Sequence, residues 1–553
     1  MAEPVKRKIA FSTSTSTNHK ADVVIAGAGI SGIVAALELL ESDLKVIIVD
    51  RDEKNKIGGL AKESFGAMFF VNSPQQRWTG IKDSPELALS DWLANAEFGE
   101  ADIWPRQWAE FYVNNCTQLG YKWLRKQGVQ FLPVVNWVER ISDKNPGNSV
   151  PRFHIVWGSG KGLSDTLANR LLSHRNIGNL RILFEHKVTE IIKRDGKITG
   201  LSGINEKTGN RFTVEADNTV IASGGICGSI EKVKANWYKP WGEPPEIILN
   251  GAHKYAQGIL HDAASEIGAN ITHMDKLWLY PGGVSHPKPR HPQHGLSILP
   301  CKSALWLDSH GRRFGPEPLV AGFDARHQVE TVCNQEHKYS WQVMNMKIAI
   351  RELSISGSEH NPSIRDRKLF RFLKGILFGA KGLVDDMLTN CENFVTANSV
   401  SELADKMQAL SGDVEIDRAA MEAAIQQFDI AADSKSGTYD RQRELIRQVR
   451  KYPLDGIRTC KDQKIDDKSA YPLIAVKEHI LSRKTMGGIQ TNLESRVLTA
   501  TGETIPNLYA IGEVAGYGGG GVHGLRSLEG TFLGGCVMSS RLAAADILNI
   551  KLH

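Results

Sequence analysis

Between residues 22 and 50 the chain passes through an apolar stretch, the turn Gly27-Ala28-Gly29-Ile30-Ser31-Gly32, an apolar helical pattern and a second apolar stretch that ends on an acid. Residues 22–26 read as a short buried parallel strand, residues 33–40 as a helix, and residues 45–49 as the next strand. Gly27 permits the tight turn, and Gly29 lets the backbone approach a pyrophosphate. Gly32 lets the helix pack on the strand with its N-terminus facing the phosphates. Ile30 and Ser31 complete that binding turn. Asp50 is placed to accept hydrogen bonds from an adenosine ribose, where it would repel a 2′-phosphate, and Arg51 follows it. The whole run reads as a Rossmann-like dinucleotide-binding unit, so the expected fold class is α/β.

A second signature lies almost five hundred residues away, where Pro506-Asn507-Leu508-Tyr509-Ala510-Ile511-Gly512-Glu513 reads as a strand ending in Gly512 and Glu513. The two together point to FAD. Ile57-Gly58-Gly59-Leu60 offers a further backbone approach toward the flavin through Gly58 and Gly59. Residues 181–184, 187–193 and 197–201 read as successive strands, with a turn at Asp195-Gly196. Val188, in the second of them, is counted among the cofactor contacts. Residues 219–225 form another buried strand that returns to the cofactor with Ala222 and Gly224. The glycine-rich stretch 158–162 lacks the Gly-Lys-Ser/Thr ending of a phosphate loop, so it reads as the start of the helix over 163–172. No second dinucleotide fingerprint is present, and NAD(P)H is not expected as a permanent partner.

At 553 residues the chain is long enough for two or three domains, and 41% hydrophobic content can fill their cores. A formal charge of +5 gives no case for a nucleic-acid partner. Seven cysteines lie scattered from Cys116 to Cys536 without a CxxC pair, which suggests reduced thiols and neither a disulfide framework nor a metal site. Residues 1–20 carry Lys6, Arg7 and Lys8 and a Ser/Thr run, but no apolar stretch of signal-peptide length, and read as a floppy arm. No apolar run reaches the roughly 18 residues of a membrane span. A cytoplasmic location is expected.

Five motifs follow in order: residues 27–32, Ala222-Ser223-Gly224-Gly225, Arg313-Phe314 with Glu317, Thr485-Met486-Gly487-Gly488, and Gly512-Glu513. In that order they resemble the flavoprotein superfamily that holds 3-ketosteroid dehydrogenases and soluble fumarate reductases. The resemblance implies an FAD-binding domain built from residues 21–265 and 476–553, with an inserted α+β cap at 266–475 and the active site where cap meets flavin. It implies that Glu513 binds ribityl or ribose hydroxyls. Leu533, Gly534 and Gly535 would bring the last helix's N-terminus near the flavin pyrimidine, where the helix dipole stabilises the charge of reduced flavin. Residues 57–70 contain no histidine, so a histidyl-flavin bond through that segment is not expected.

Residues 516–535 hold Tyr517, four consecutive glycines, His523, Arg526, Glu529 and Gly530. Dehydrogenating a carbon pair beside a carbonyl needs a clamp on the oxygen, a base for the proton and flavin N5 for the hydride. Ketosteroid dehydrogenases build the clamp from a tyrosine four residues before a glycine amide. Here Gly530 supplies the glycine and Arg526 stands at the tyrosine position. A second family tyrosine, shortly after the Arg-Phe motif, is replaced by Pro318-Leu319-Val320-Ala321-Gly322-Phe323-Asp324. Tyr280, Tyr471 and Tyr517 are the candidates to substitute. Fumarate reductases use a histidine directly before Thr-x-Gly-Gly and an arginine in a His-Gly-x-Asn-Arg run. This chain has Lys484 before Thr485, and His523-Gly524-Leu525-Arg526 moves the arginine by one, with Arg326 near the place of the cap arginine. His523 and Arg526 could then hold a single carboxylate or carbonyl. The leading expectation is an FAD-dependent dehydrogenase of hydrophobic ketones or enones, such as 3-ketosteroids, with an external electron acceptor left open. The alternatives are a fumarate-reductase-like enoate reductase and a non-catalytic flavin-binding redox or scaffold protein.

Within the cap, residues 365–384 interleave basic and apolar side chains at helical spacing. Such a segment can lie on an anionic membrane surface, cover the substrate pocket or contact a second subunit. Gly375, Gly379 and Gly382 weaken a continuous helix.

Overall fold

The computed structural model describes residues 16–144, 146–433 and 437–552. Apolar runs of β-branched residues form the centre of the first sheet, buried on both faces as parallel strands require. Its path runs Arg496–Leu498, Thr504–Ala510, Arg211–Ile221, Thr17–Ala26, Val46–Val49, Leu180–Leu183. All neighbours on this path are parallel except the first pair. The hairpin His186–Arg194 and Lys197–Asn205 joins antiparallel to Arg211–Ile221, turning at Asp195-Gly196 as the sequence predicts. Helices Ile30–Leu39 and Thr531–Ile547, from opposite ends of the chain, pack against one another over this sheet. The glycine-rich stretch at 158–162 does open a helix, Ser159–Leu172.

Of the expected arm, residues 1–15 lie outside the described residues. Residues 17–20 are not an arm: they extend the first strand and pair with residues 212–215.

A second sheet has Leu473–Thr485 at its centre, flanked by Tyr339–Asn345 on one side and Leu277–Ser285 on the other. Ile248–Asn250 pairs with the same long strand, so this sheet reaches beyond residues 266–475 at both ends. Helices such as Val400–Ser411 and Arg418–Ile430 cover it and close a separate core around Trp341, Phe428 and Val476. The architecture is a Rossmann-like α/β domain with an inserted α+β cap.

The seven cysteines are free. Among the described residues no helix is long and apolar enough to cross a membrane. The segment 365–384 is broken: helices Pro362–Arg365, Leu369–Phe378 and Lys381–Asn390 are separated by Arg367 and Gly379, both at positive φ.

Candidate functional site

The carboxyl ends of the central strands, at Ala26, Val49 and Ala222, open into a cavity of about 220 Å³. This is where open parallel sheets present their ligand sites. Gly29 begins the first helix at φ −71°, and a Cβ added there would meet no protein atom within 4 Å. Gly224 also faces open space. Gly27, at φ +116°, is pressed against the Ala222 carbonyl, and a Cβ on Gly32 would overlap the Gly27 carbonyl oxygen. One glycine of the turn therefore leaves room for a ligand while its neighbours let strand and helix close up, as the spacing predicts.

Asp50 accepts hydrogen bonds from the Ala28 amide at 2.5 Å and the Asp52 amide at 2.7 Å, and burial pushes its carboxyl above the usual range. Arg51 is held by Glu206 and Gln257, each at 2.8 Å, with its guanidinium 4.3 Å from the Tyr255 ring centroid. Ile30, Ser31, Gly59, Val188, Glu513 and Leu533 also line the cavity.

Four glycines counted among the cofactor contacts are closely packed on protein. Gly32 is so in the packing role read for it above. A Cβ on Gly58 would strike Ser164, on Gly512 the Ser31 hydroxyl, and on Gly534 the Tyr112 hydroxyl. None of the four lines the cavity. Gly534 in particular lets helix Thr531–Ile547 seat on the buried Tyr112, while Phe532, Leu533 and Cys536 are its cavity-facing residues.

Glu513 lies in the short turn Gly512–Val514 and accepts the Thr485 amide at 2.9 Å. Its half-buried carboxyl is raised above the ordinary range by loss of solvent. Thr485 in turn accepts the Ile226 amide at 2.8 Å, so the two sheets are stitched together at this point. Tyr517 is buried, held at φ +64°, and lies 5.0 Å from the Phe532 ring.

Beside these rings stands Lys484, a group the sequence marks only as a departure from family pattern. Its Nζ is 3.2 Å from the Tyr280 hydroxyl and 3.8 Å from the Phe532 ring centroid. Burial lowers its pKa to about 8, while the Glu529 carboxylate pulls the other way. Glu529 Oε1 accepts from Trp278 Nε1 at 2.8 Å and from the Tyr280 hydroxyl. A half-buried lysine thus lines the cavity, its ammonium held by a tyrosine that a carboxylate holds in turn. Arg483, beside it, also lines the cavity and donates to the Gly251 carbonyl.

The remaining candidates are placed elsewhere. His523 is fully buried, stacked on Trp92 and hydrogen-bonded to Thr531 Oγ1 at 2.8 Å. Burial drives its pKa down to about 3, so it is a neutral core ring and not a carboxylate ligand. Arg526 is closed by Asp324 at 2.9 Å and by Glu97. Tyr471 bonds Asp466 and Lys468 at the surface and does not line the cavity. Gly530, at φ +98°, precedes the last helix, and its carbonyl accepts the Phe69 amide at 2.9 Å.

The open backbone at Gly29 and Gly224, the acid at Asp50 and the half-buried Glu513 fit an adenine dinucleotide laid across the strand ends. Comparison with known proteins agrees. The family described as an FAD binding domain matches residues 22–533. A KsdD-like steroid dehydrogenase of Mycobacterium tuberculosis (strain CDC 1551 / Oshkosh) is 40% identical over 97% of this chain and 97% of its own. Another, from Mycolicibacterium smegmatis, is 41% identical over 95% of this chain and 99% of its own. The structure of 3-ketosteroid delta1-dehydrogenase from Sterolibacterium denitrificans shares the fold, with a TM-score of 0.69 at 15% identity, covering 96% of this chain and 100% of that one. The chain belongs to the FAD binding domain family, alongside the KsdD-like steroid dehydrogenases, and is an FAD-dependent oxidoreductase.

Proposed function

We propose that the protein oxidises a carbon–carbon bond beside the carbonyl of a hydrophobic ketone, and that 3-ketosteroids are its substrate class. The observation that carries this reading is the half-buried Lys484, which lines the cavity with its ammonium on the Tyr280 hydroxyl and Glu529 on that same hydroxyl. Bound FAD supplies the two-electron acceptor. Lys484 holds the substrate's carbonyl oxygen by a charge-assisted hydrogen bond and so acidifies the neighbouring carbon. Tyr280 and Glu529 fix the ammonium in place and balance its charge. This arrangement takes over the clamp that the family builds from the tyrosine replaced here by Arg526.

The steroid names of the relatives at 40% and 41% identity support the substrate class. A dicarboxylate would need paired basic groups. Arg526 is committed to two carboxylates, and His523 is neutral and enclosed. The enoate-reductase reading is correspondingly weaker.

The test is anaerobic: the yellow protein is mixed with a panel of ketosteroids and the flavin absorbance is followed. Bleaching by ketosteroids, lost in Lys484→Met with the flavin still bound, is the expected result. Reduced enzyme that is reoxidised by fumarate alone, with no bleaching by any ketosteroid, would overturn the assignment.

A further inference from the structure

Helix Leu369–Phe378 buries none of its side chains. Phe370 is 89% exposed, Phe378 71%, Leu377 60%, Leu369 52% and Leu373 46%. Five of the nineteen large exposed hydrophobic residues among those described therefore fall within ten consecutive positions, where scattered single ones are ordinary. Residues 369, 370, 373 and 377 share one helical face. The helix is held to the body along the adjoining edge, where Phe372 meets the Trp157 ring at 5.8 Å and Ile376 is half-buried. The broad apolar face is the one left in solvent.

Charge says what covers it. Residues 367–381 contain Arg367, Lys368, Arg371, Lys374 and Lys381 and no acid. Among the described residues, ion pairing around the segment is confined to Arg365 with Asp366 and Lys381 with Asp385. We propose that this helix docks the protein on an anionic lipid bilayer, with Phe370, Leu373 and Leu377 in the acyl boundary and Arg371 and Lys374 among the headgroup phosphates. Long basic stems suit that geometry, since they lie along apolar surface while the charge reaches outward. A second copy of the chain is a poorer occupant. Symmetric pairing through this face would set the same basic cluster against itself.

Position gives the docking a consequence. Arg365, at the end of the preceding helix, lines a second cavity of about 450 Å³ together with Ser358 and Lys161. That cavity shares Asp52, Gly59, His253 and Arg483 with the first. Docking through Leu369–Phe378 sets this opening beside the bilayer, where apolar ketones collect. The delivery of substrate rests on the ketone reading, while the docking itself does not.

The experiment uses the full-length flavoprotein without substrate. It is co-sedimented with phosphatidylcholine vesicles, with and without phosphatidylglycerol, at low and high salt. Binding to the phosphatidylglycerol vesicles is expected, weakened about tenfold or more by the double change Arg371→Glu and Lys374→Glu, and weakened likewise by Phe370→Glu. All of these side chains are exposed, so the variants should keep their flavin and elute at the wild-type volume. Absence of binding at low salt sinks the proposal. So does binding untouched by Phe370→Glu, or self-association that Phe370→Glu dissolves while vesicles are ignored. A failure of ketosteroid bleaching leaves the vesicle result standing.

Discussion

Lys484 Nζ and the Tyr280 hydroxyl stand 3.2 Å apart on neighbouring antiparallel strands, with Glu529 reaching the same hydroxyl from the loop before the last helix. The side chain is half-buried, and loss of solvent brings its pKa to about 8. A clamp of this kind works in its protonated form. The rate of flavin reduction by ketone should therefore hold below that pH and fall as pH rises through about 8. Lys484→Arg keeps the charge and should move the falling limb to more alkaline pH. Lys484→Met should cost about 100-fold or more, the scale on which a lost oxyanion donor is felt. Stopped-flow reduction across pH 6.5 to 10 tests this on a scale set by the ordinary lysine range. A rate that climbs through pH 8 would make Lys484 a base and reject the clamp.

Gly29 and Gly32 separate ligand space from packing space. The Gly29 backbone has an ordinary negative φ and its Cβ position is open, so Gly29→Ala should fold normally and lose FAD affinity. Gly32→Ala would press a methyl group into the Gly27 carbonyl and should lower the stability of the apoprotein itself. The readouts are flavin retained after gel filtration and the apoprotein melting temperature. Equal melting losses in the two variants would refute the distinction.

The parts of the fold that could be read from sequence are those fixed by local pattern. The first strand, turn and helix follow from apolar period and glycine spacing, and the Asp195-Gly196 hairpin from its turn residues. The same spacing could not tell which glycines face ligand and which face protein. At Gly534 the space a side chain would need is filled by Tyr112, some four hundred residues earlier, which no local spacing announces. The clamp was hidden for a related reason. Trp278 pairs with Lys484 across strands some two hundred residues apart in sequence, and Tyr280, two positions on, reaches the same lysine with its hydroxyl. Arg526 keeps its place in the motif and loses the expected role because Asp324 and Glu97 close on it. Neither partner is near it in sequence.

Arg526 should matter to stability before it matters to chemistry. Asp324 is 2% exposed at its side chain, and the Arg526 guanidinium is its partner at 2.9 Å. Arg526→Ala leaves that carboxylate buried beside Glu139 and should cost on the order of 3 kcal/mol. Asp324→Asn in the same chain should recover part of the loss, since it removes the stranded charge. Flavin content of the purified protein should stay at the wild-type level throughout. A variant that melts normally but loses ketone turnover would return Arg526 to the active site.

Glu478 sits at the centre of the second sheet, opposite Ser340, with both carboxylate oxygens buried and without hydrogen-bond partners. Burial raises its pKa well above the usual carboxylate range, so the side chain stays protonated in the folded protein where it would ionise in the unfolded chain. Below the unfolded pKa both states carry the proton and pH has no leverage. Above it the native state binds the extra proton, so stability falls with rising pH at up to about 1.4 kcal/mol per unit until the folded group itself ionises. Glu478→Gln removes the titration and should flatten that slope. Glu478→Met, which also removes the polar atoms that find no partner, should raise the melting temperature at neutral pH. The decisive comparison is wild type against Glu478→Gln by chemical denaturation at pH 5 and pH 8. The advantage of the variant should be larger at the higher pH, because keeping the native proton costs more with each pH unit above the unfolded pKa. An advantage that stays constant between the two would mean the carboxyl finds a partner after all.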